Sequence, residues 1–373
     1  MSGLTVLAVA ATAAGVAARQ APPPRVSLQA AIETRQVESD ADDPALWIDA
    51  AHPERSLVLG TNKAVAPAGA LAVFDLDGRV LQSVTGLDRP NNVDVEYDVR
   101  LGNARVDIAV ATERRASALR VWRIDGARRR LEPLGVVPVL AGERGDKAAP
   151  MGIALYRRPS DGTTFAIVSP KGGDATGYLA QYRLEGDGAG AVRAVLVRRF
   201  GAFKTSPGLL RANEIEAVAV DDALGFVYYA DEQAGIRKYY ADPDHPHAAR
   251  ELALFGTTGF AGDREGIAIY ARPDGTGFIA CTDQVPGGSE YRVFRREGTA
   301  ANPHDHSEVV AVLAGGADAT DGLDATALPL GPRFPAGLLV AMNSRGRNFL
   351  LFPWPDRLGT AGAASPASPG PPR

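Results

Sequence analysis

Apolar residues recur at alternate positions in short runs along most of this chain, and the runs come in sets. Six segments begin at an acidic, amide-bearing or turn-forming residue and continue into a strand-like alternation: DDPALWID from Asp42, NNVDVEYD from Asn91, PMGIALY from Pro150, NEIEAVAVDD from Asn213, DREGIAIY from Asp263 and TDGLDATAL from Thr320. Each is followed by a second β-rich run (SLVLGTN, VDIAVAT, TTFAIVS, GFVYYAD, GFIACTD, GLLVAMN). A third run comes next (ALAVFDL, ALRVWRI, YLAQYRL, GIRKYYA, EYRVFRR, NFLLFPW). The units start roughly 50 to 65 residues apart, a period that belongs to radial β repeats. The pattern predicts an all-β, six-bladed β-propeller in a single domain.

Length alone suggests two or three domains for 373 residues, but the six units fill the chain from about residue 30 to 356 and leave no room for a second one. The expected division is a leader and flexible segment over 1–27, the propeller over 28–357 and a disordered Pro/Ala/Ser-rich tail over 358–373. LTVLAVAATAAGVAA from Leu4 has the length of a signal-peptide core, with Val16-Ala17-Ala18 as small residues for cleavage, although no basic residue precedes Leu4. Export to the periplasm or medium is the expectation. The run is alanine-rich and shorter than the roughly 20 residues a bilayer needs, so no stable membrane anchor is expected.

Composition narrows the chemistry. A net charge of -4 gives no basic footprint for nucleic acid, so an anionic substrate must be met by local cations or metal ions. Cys281 is the only cysteine, which excludes an internal disulfide and a cysteine-built zinc site, and it reads as a small buried residue. Four of the five histidines fall in DPDHPH and NPHDH, which read as hairpin tips rather than as His-x-His metal ligands. There is no G-x-S-x-G elbow, P-loop or phosphohistidine motif, so a side-chain nucleophile has little support.

Carboxylates remain. In a propeller the first strand of each blade lines the central channel, and the loop leading into it opens on one rim. Asp42, Asp43, Asp94, Glu214, Glu216, Asp263, Glu265, Asp321 and Asp324 lie at five of the six such places. Any one of them is explained by an Asx-turn. As a set they would crowd like charges on one rim, and a hard cation such as calcium, which takes six to eight oxygen ligands, resolves the repulsion.

DDPALW, TNK, LAVFDLDG, NNVDVEYD, VDIAVATER, EAVAVDD, DREGIAIY, ATDGLDA and GLLVA, running between Glu33 and Trp354, resemble in content and order the β-propeller phytases, calcium-dependent phosphatases of myo-inositol hexakisphosphate. That resemblance implies a six-bladed propeller, several calcium ions and a phytate-like substrate. It implies that Lys63, Arg114 and Lys171 bind substrate phosphate, and that Glu33, Asp42, Asp43, Glu216, Glu232, Glu265 and Asp321 hold calcium or surround the scissile phosphate. Glu216, Glu232 and Glu265 are the expected catalytic carboxylates. Asp94 and Asp263 are expected on the same rim as further metal ligands. The chain departs from the family at Met151, where an active-site tyrosine is common, and at Gly172, where glutamate often follows the substrate lysine; Asp174 stands two residues further on. The expected reaction is metal-assisted attack of water on phosphorus by a monomer. A calcium-dependent lactonase and a non-catalytic propeller binding a phosphorylated or acidic ligand are the alternatives.

Overall fold

The computed structural model describes residues 21–188, 190–204, 214–355 and 358. The apolar leader up to residue 20, Asn213 at the head of the fourth unit, and the tail beyond residue 358 lie outside the described residues.

Alternating side chains need cover on both faces of each sheet, and the chain provides it by arranging six antiparallel sheets radially. Blade 1 is Ala41–Trp47, Leu57–Asn62, Gly69–Phe74 and Val80–Leu87; blade 2 is Pro90–Leu101, Ala104–Glu113, Ala118–Asp125 and Arg130–Pro138. Blade 3 is Pro150–Arg157, Thr164–Pro170, Thr176–Gly186 and Val192–Ala202; blade 4 is Val218–Asp221, Phe226–Asp231, Gly235–Tyr240 and Ala253–Phe255. Blade 5 is Ile267–Ala271, Gly277–Asp283, Glu290–Arg295 and Ala311–Ala314; blade 6 takes Leu323–Thr326, Leu338–Asn343 and Asn348–Pro353 from the C-terminal part. The outermost strand of blade 6 is Ile32–Glu33 from the other end of the chain, and the ring closes there. The first strand of every blade touches the first strands of its neighbours around the axis.

Packing follows the alternation residue by residue. In Leu57–Asn62, Val58 points into the core shared with blade 6, whereas Leu57 and Leu59 point into the core shared with blade 2. Six such clusters occur, one at each junction between blades. Burying Leu59 completely removes an apolar surface that contributes roughly 1.5–3 kcal/mol, which suits a strand with both faces covered.

Arg25–Ser27 falls in the stretch assigned to the leader, yet it pairs in parallel with Val312–Ala314 as a fifth strand on blade 5. The sheet therefore reaches back to Arg25. At the other end Leu358 is buried and its carbonyl accepts a bond from Arg272 at 3.1 Å.

Polar clasps cross between blades near the axis. Asp324 of blade 6 accepts the amide of Leu46 in blade 1 at 2.7 Å, Asp43 of blade 1 accepts that of Val93 in blade 2 at 2.9 Å, and Asp94 of blade 2 accepts that of Leu155 in blade 3 at 2.7 Å. Replacing Asp324 with alanine leaves the Leu46 amide without its acceptor at the closing junction. We expect a loss of about 1–3 kcal/mol in urea unfolding with unchanged far-ultraviolet circular dichroism; an unaltered midpoint would show that the clasp carries no stability.

Candidate functional site

Blades 1, 2 and 3 each carry a bulge where the first strand begins, between Ala41 and Pro44, Pro90 and Val93, and Pro150 and Ile153. A bulge bends the strand and re-aims the side chains it contains. In register, Asp42, Asn91, Met151, Glu216, Glu265 and Asp321 fall at one equivalent position in the six blades, forming a ring at one mouth of the channel. Four of the six carry carboxylates.

The ends of the second strands make another ring. The backbone N–H groups of Lys63, Arg114, Lys171, Glu232 and Gln284 bond to carbonyls of Asp40, Arg89, Ala149, Glu214 and Asp263, each just ahead of a first strand. The rim is thus divided. Blades 1 to 3 present Lys63, Arg114 and Lys171; blades 4 and 5 present Glu232 and Gln284.

These side chains are interlocked. The Lys63 ammonium bonds to Asp42 and lies 3.3 Å from Asp321 Oδ2. Arg114 Nη1 donates to Asn91 Oδ1 at 2.9 Å, and Asn91 Nδ2 donates onward to Glu216. Lys171 Nζ stands 3.2 Å from Glu214 Oε1, and Gln284 Nε2 donates to Asp321 Oδ1 at 2.9 Å. Glycines make the close approaches feasible: a Cβ on Gly322 would sit 2.1 Å from Asp43 Oδ1, and one on Gly152 would sit 2.0 Å from the Glu216 carbonyl oxygen.

Electrostatics here are dominated by burial. Loss of water pushes Glu232 up to about 9, with Glu216 and Glu214 adding to the rise. Asp42 and Glu265 lie well above the usual carboxylate range, first through burial and then through neighbouring acids, although Lys63 pulls Asp42 back. Burial lifts Asp321 to about 6 against the opposing pull of Lys63. Asp43 is raised by burial despite the Val93 amide. Burial also works against a charged Lys63, but Asp42, Glu216 and Asp321 outweigh it and hold the ammonium protonated.

The donor set suits a hard cation. It consists of oxygens, and both Asp42 Oδ2 and Glu265 Oε2 are buried without a hydrogen-bond donor, a costly state for a carboxylate. Among the described residues no three acidic, histidine or cysteine side chains converge into a finished cage.

The Phytase family profile matches residues 1–348. The chain belongs to the phytase family. The 3-phytase of Bacillus subtilis (strain 168) is 29% identical over 328 residues, spanning 84% of this chain and 79% of that protein. Among solved structures, the β-propeller domain of Cps50 (Swd1) from Myceliophteria thermophila aligns at 12% identity with a TM-score of 0.47, covering 84% of each chain. The periplasmic gluconolactonase PpgL of Pseudomonas aeruginosa aligns at 17% identity with a TM-score of 0.45 over 70% of this chain and 68% of its own.

Within this phytase-family chain, Asp42, Asp43, Lys63, Arg114, Lys171, Glu216, Glu232, Asp263, Glu265 and Asp321 all lie at the divided rim. Glu33 does not. It is exposed on the outermost strand of blade 6, and its carbonyl lies beside Gly78, in the turn between the third and fourth strands of blade 1 at the opposite mouth. Its side chain stands at the outer edge of the blade, away from the ring of first-strand residues. Asp94 and Asp324 line a channel cavity of about 130 Å³, which Asp43 and Glu265 also border; both Asp94 and Asp324 accept two backbone amides and are raised by burial to about 7. Asp174 is mostly exposed and pairs with Lys147 at 2.8 Å, so it does not fill the place left by Gly172. Met151 is buried, taking the blade 3 place in the ring with a side chain that brings no oxygen.

Asn91, Gln284 and Arg264 were not singled out from the sequence. Asn91 and Gln284 are detectable by aligning the six units with one another, since each occupies a ring position. Arg264, beside Glu265, gives no such signal, because its equivalents Ala41, Pro90, Pro150, Ile215 and Thr320 are uncharged.

Carboxylates with raised folded-state pKa values bind protons more tightly folded than unfolded. Their contribution is fully present below about pH 4 and is lost as pH rises through the range from about 6 to 9 set by Asp321 and Glu232. In chelator, therefore, the melting temperature should fall between pH 5 and pH 9, and Glu232→Gln should flatten that slope. A slope identical in the two proteins would mean that Glu232 is not crowded.

Proposed function

We propose that this chain is a calcium-dependent phosphomonoesterase of the 3-phytase type, which hydrolyses myo-inositol hexakisphosphate by direct attack of water and releases inorganic phosphate. The observation that carries the reading is the division of the rim, with three cations at equivalent strand ends of consecutive blades facing a set of buried carboxylates. A polyanion needs the first half and a hard cation the second. Membership of the phytase family and the name of the Bacillus subtilis relative support the same substrate.

Asp42, Glu216, Glu232, Glu265 and Asp321 would hold the calcium, with Asp43 and Asp263 beside them. When bound, calcium offsets the charge on the phosphate oxygens and makes a coordinated water more acidic. Glu265 Oε2, buried and without a donor, takes the proton from the attacking water, with Glu216 and Glu232 as its acidic neighbours. Lys63, Arg114 and Lys171 bind the phosphoryl oxygens and a neighbouring phosphate on the same ring. The planar guanidinium of Arg114 bonds two oxygens at once, which an ammonium does not. As the bond from phosphorus to the inositol oxygen breaks, that oxygen takes a proton from solvent and leaves as a hydroxyl, while charge spreads over the equatorial oxygens and these contacts strengthen. No covalent phosphoenzyme is needed. Cys281 is fully buried, with its thiol pushed up by burial, and is no nucleophile. We further propose export through the segment 4–18 and action as a monomer.

Three experiments test this. Phosphate release from phytate should require calcium and cease in excess chelator, whereas hydrolysis of an aryl lactone at a higher rate than phytate would replace the reading by the lactonase. Lys63→Ala and Arg114→Ala should each lower kcat/KM for phytate about a hundredfold or more, with Arg114→Lys only partly restored. Variants that hydrolyse phytate as fast as the parent would overturn the phosphate assignment. Calcium should also stabilise the fold by binding the native state alone, by about 2.7 kcal/mol at a hundredfold excess over Kd, and raise the melting temperature accordingly.

A further inference from the structure

Arg264 is buried, and none of its hydrogen bonds goes to a carboxylate. Nε and Nη2 donate to the Gly256 carbonyl at 3.0 and 2.7 Å, and Nη1 donates to the Glu232 carbonyl at 2.6 Å. Its guanidinium lies 4.2 Å over the ring of Phe260. Both residues lie just ahead of the strand Ile267–Ala271: Glu265 takes the ring position of blade 5, while the bonds of Arg264 run sideways to the carbonyls of Glu232 in blade 4 and of Gly256 in the loop after it. One residue of blade 5 thus holds the backbone that carries Glu232 and stands next to Glu265.

The loop from Gly256 to Gly262, which links the two blades, is held from both sides. Arg292 lies on the same Phe260 ring at 5.1 Å and bonds to Asp283 Oδ2 at 2.9 and 2.7 Å, while Asp283 Oδ1 accepts the amides of Ala261 and Gly262 at 2.9 and 2.8 Å. Gly256 itself has φ +58, a left-handed turn that presents its carbonyl to Arg264. Arg292 and Arg264 therefore brace one loop, but only Arg264 also grips blade 4.

We infer that Arg264 is a positioning residue for the cation half of the site, setting the height of Glu232 against Glu265 so that the two carboxylates meet one ion. The inference rests on the proposed calcium-dependent reading. It goes beyond it by assigning a role to a residue that touches neither ion nor substrate. Residues that orient ligands from behind commonly alter metal affinity about 10- to 100-fold when removed. The phosphate-binding cations sit on blades 1 to 3, so the effect should fall on calcium and not on substrate.

The test compares Arg264→Met, which keeps the stem against Phe260 but deletes every donor, with Arg292→Met, which loosens the same loop without touching Glu232. Calcium affinity of the substrate-free full chain is measured by titration calorimetry, alongside the melting temperature and the KM for phytate at saturating calcium. The expected result is calcium binding weakened about tenfold or more in Arg264→Met with KM changed less than about threefold, and affinity near wild type in Arg292→Met even where its melting temperature drops. Affinity unchanged in Arg264→Met, or lost in both variants in step with melting temperature, overturns the inference. A wild-type chain that binds no calcium removes the functional reading and the inference with it, whereas wild-type binding matched by Arg264→Met removes the inference alone. If Arg264→Met does not fold, Arg264→Lys decides: one ammonium cannot span both carbonyls as the fork does, so wild-type affinity in that variant is equally fatal.

Discussion

Everything at the candidate site depends on the closure of six sheets into a ring. A ring forces the same backbone position of every blade to face one axis, so whatever residue type occupies that position is concentrated at a single point. In this chain Asp42, Asn91, Met151, Glu216, Glu265 and Asp321 are brought together from places spread over most of the sequence. No pair of them is close along the chain. The apolar junctions between blades hold that convergence against the repulsion it creates, and the clasps from Asp43, Asp94 and Asp324 fix the heights of neighbouring strands.

Crowding carboxylates in a poorly hydrated mouth is unfavourable, and the molecule offsets it in two ways. Raised pKa values let some acids keep their protons, and Lys63 lies across Asp42 and Asp321 as an internal counter-ion. A lysine paired with acids is also a lysine withheld from phosphate, and a protonated carboxylate is a poor ligand. On the proposed reading, a cation taken up by Asp42 and Asp321 would free Lys63 for phosphate, and a phosphate on Lys63 would free the acids for the cation.

The fold was legible because the propeller writes itself as period-two alternation repeated six times, a signal that survives without any knowledge of tertiary contacts. The rim carboxylates were legible for the same reason: they sit where turns feed the first strands. What failed were features with no period of their own. Ile32–Glu33 is two residues long, too short to show alternation, so nothing in it told that Glu33 lies at the far edge of blade 6 and not at the rim. Arg25–Ser27 was hidden inside a stretch whose composition suggested a leader. Asp94 was placed on the right strand, but its bond to the Leu155 amide in blade 3 was not foreseen, because alternation tells which face a residue takes and not which partner it will find. Arg264 acts through two carbonyls, and carbonyls leave no trace in sequence.

The outer strand of blade 6, Ile32–Glu33, comes early in the sequence, and its partner strand Asn348–Pro353 comes after all the other blades. Translation therefore delivers one half of the final junction long before the other. The sixth blade completes only once Asn348–Pro353 has been made, so a chain that stops before it carries an unpaired edge and an open core at the same place. In such a chain Ile32–Glu33 is a bare edge at which a strand from another molecule can add, so the closing strand guards against association as well as holding the ring together.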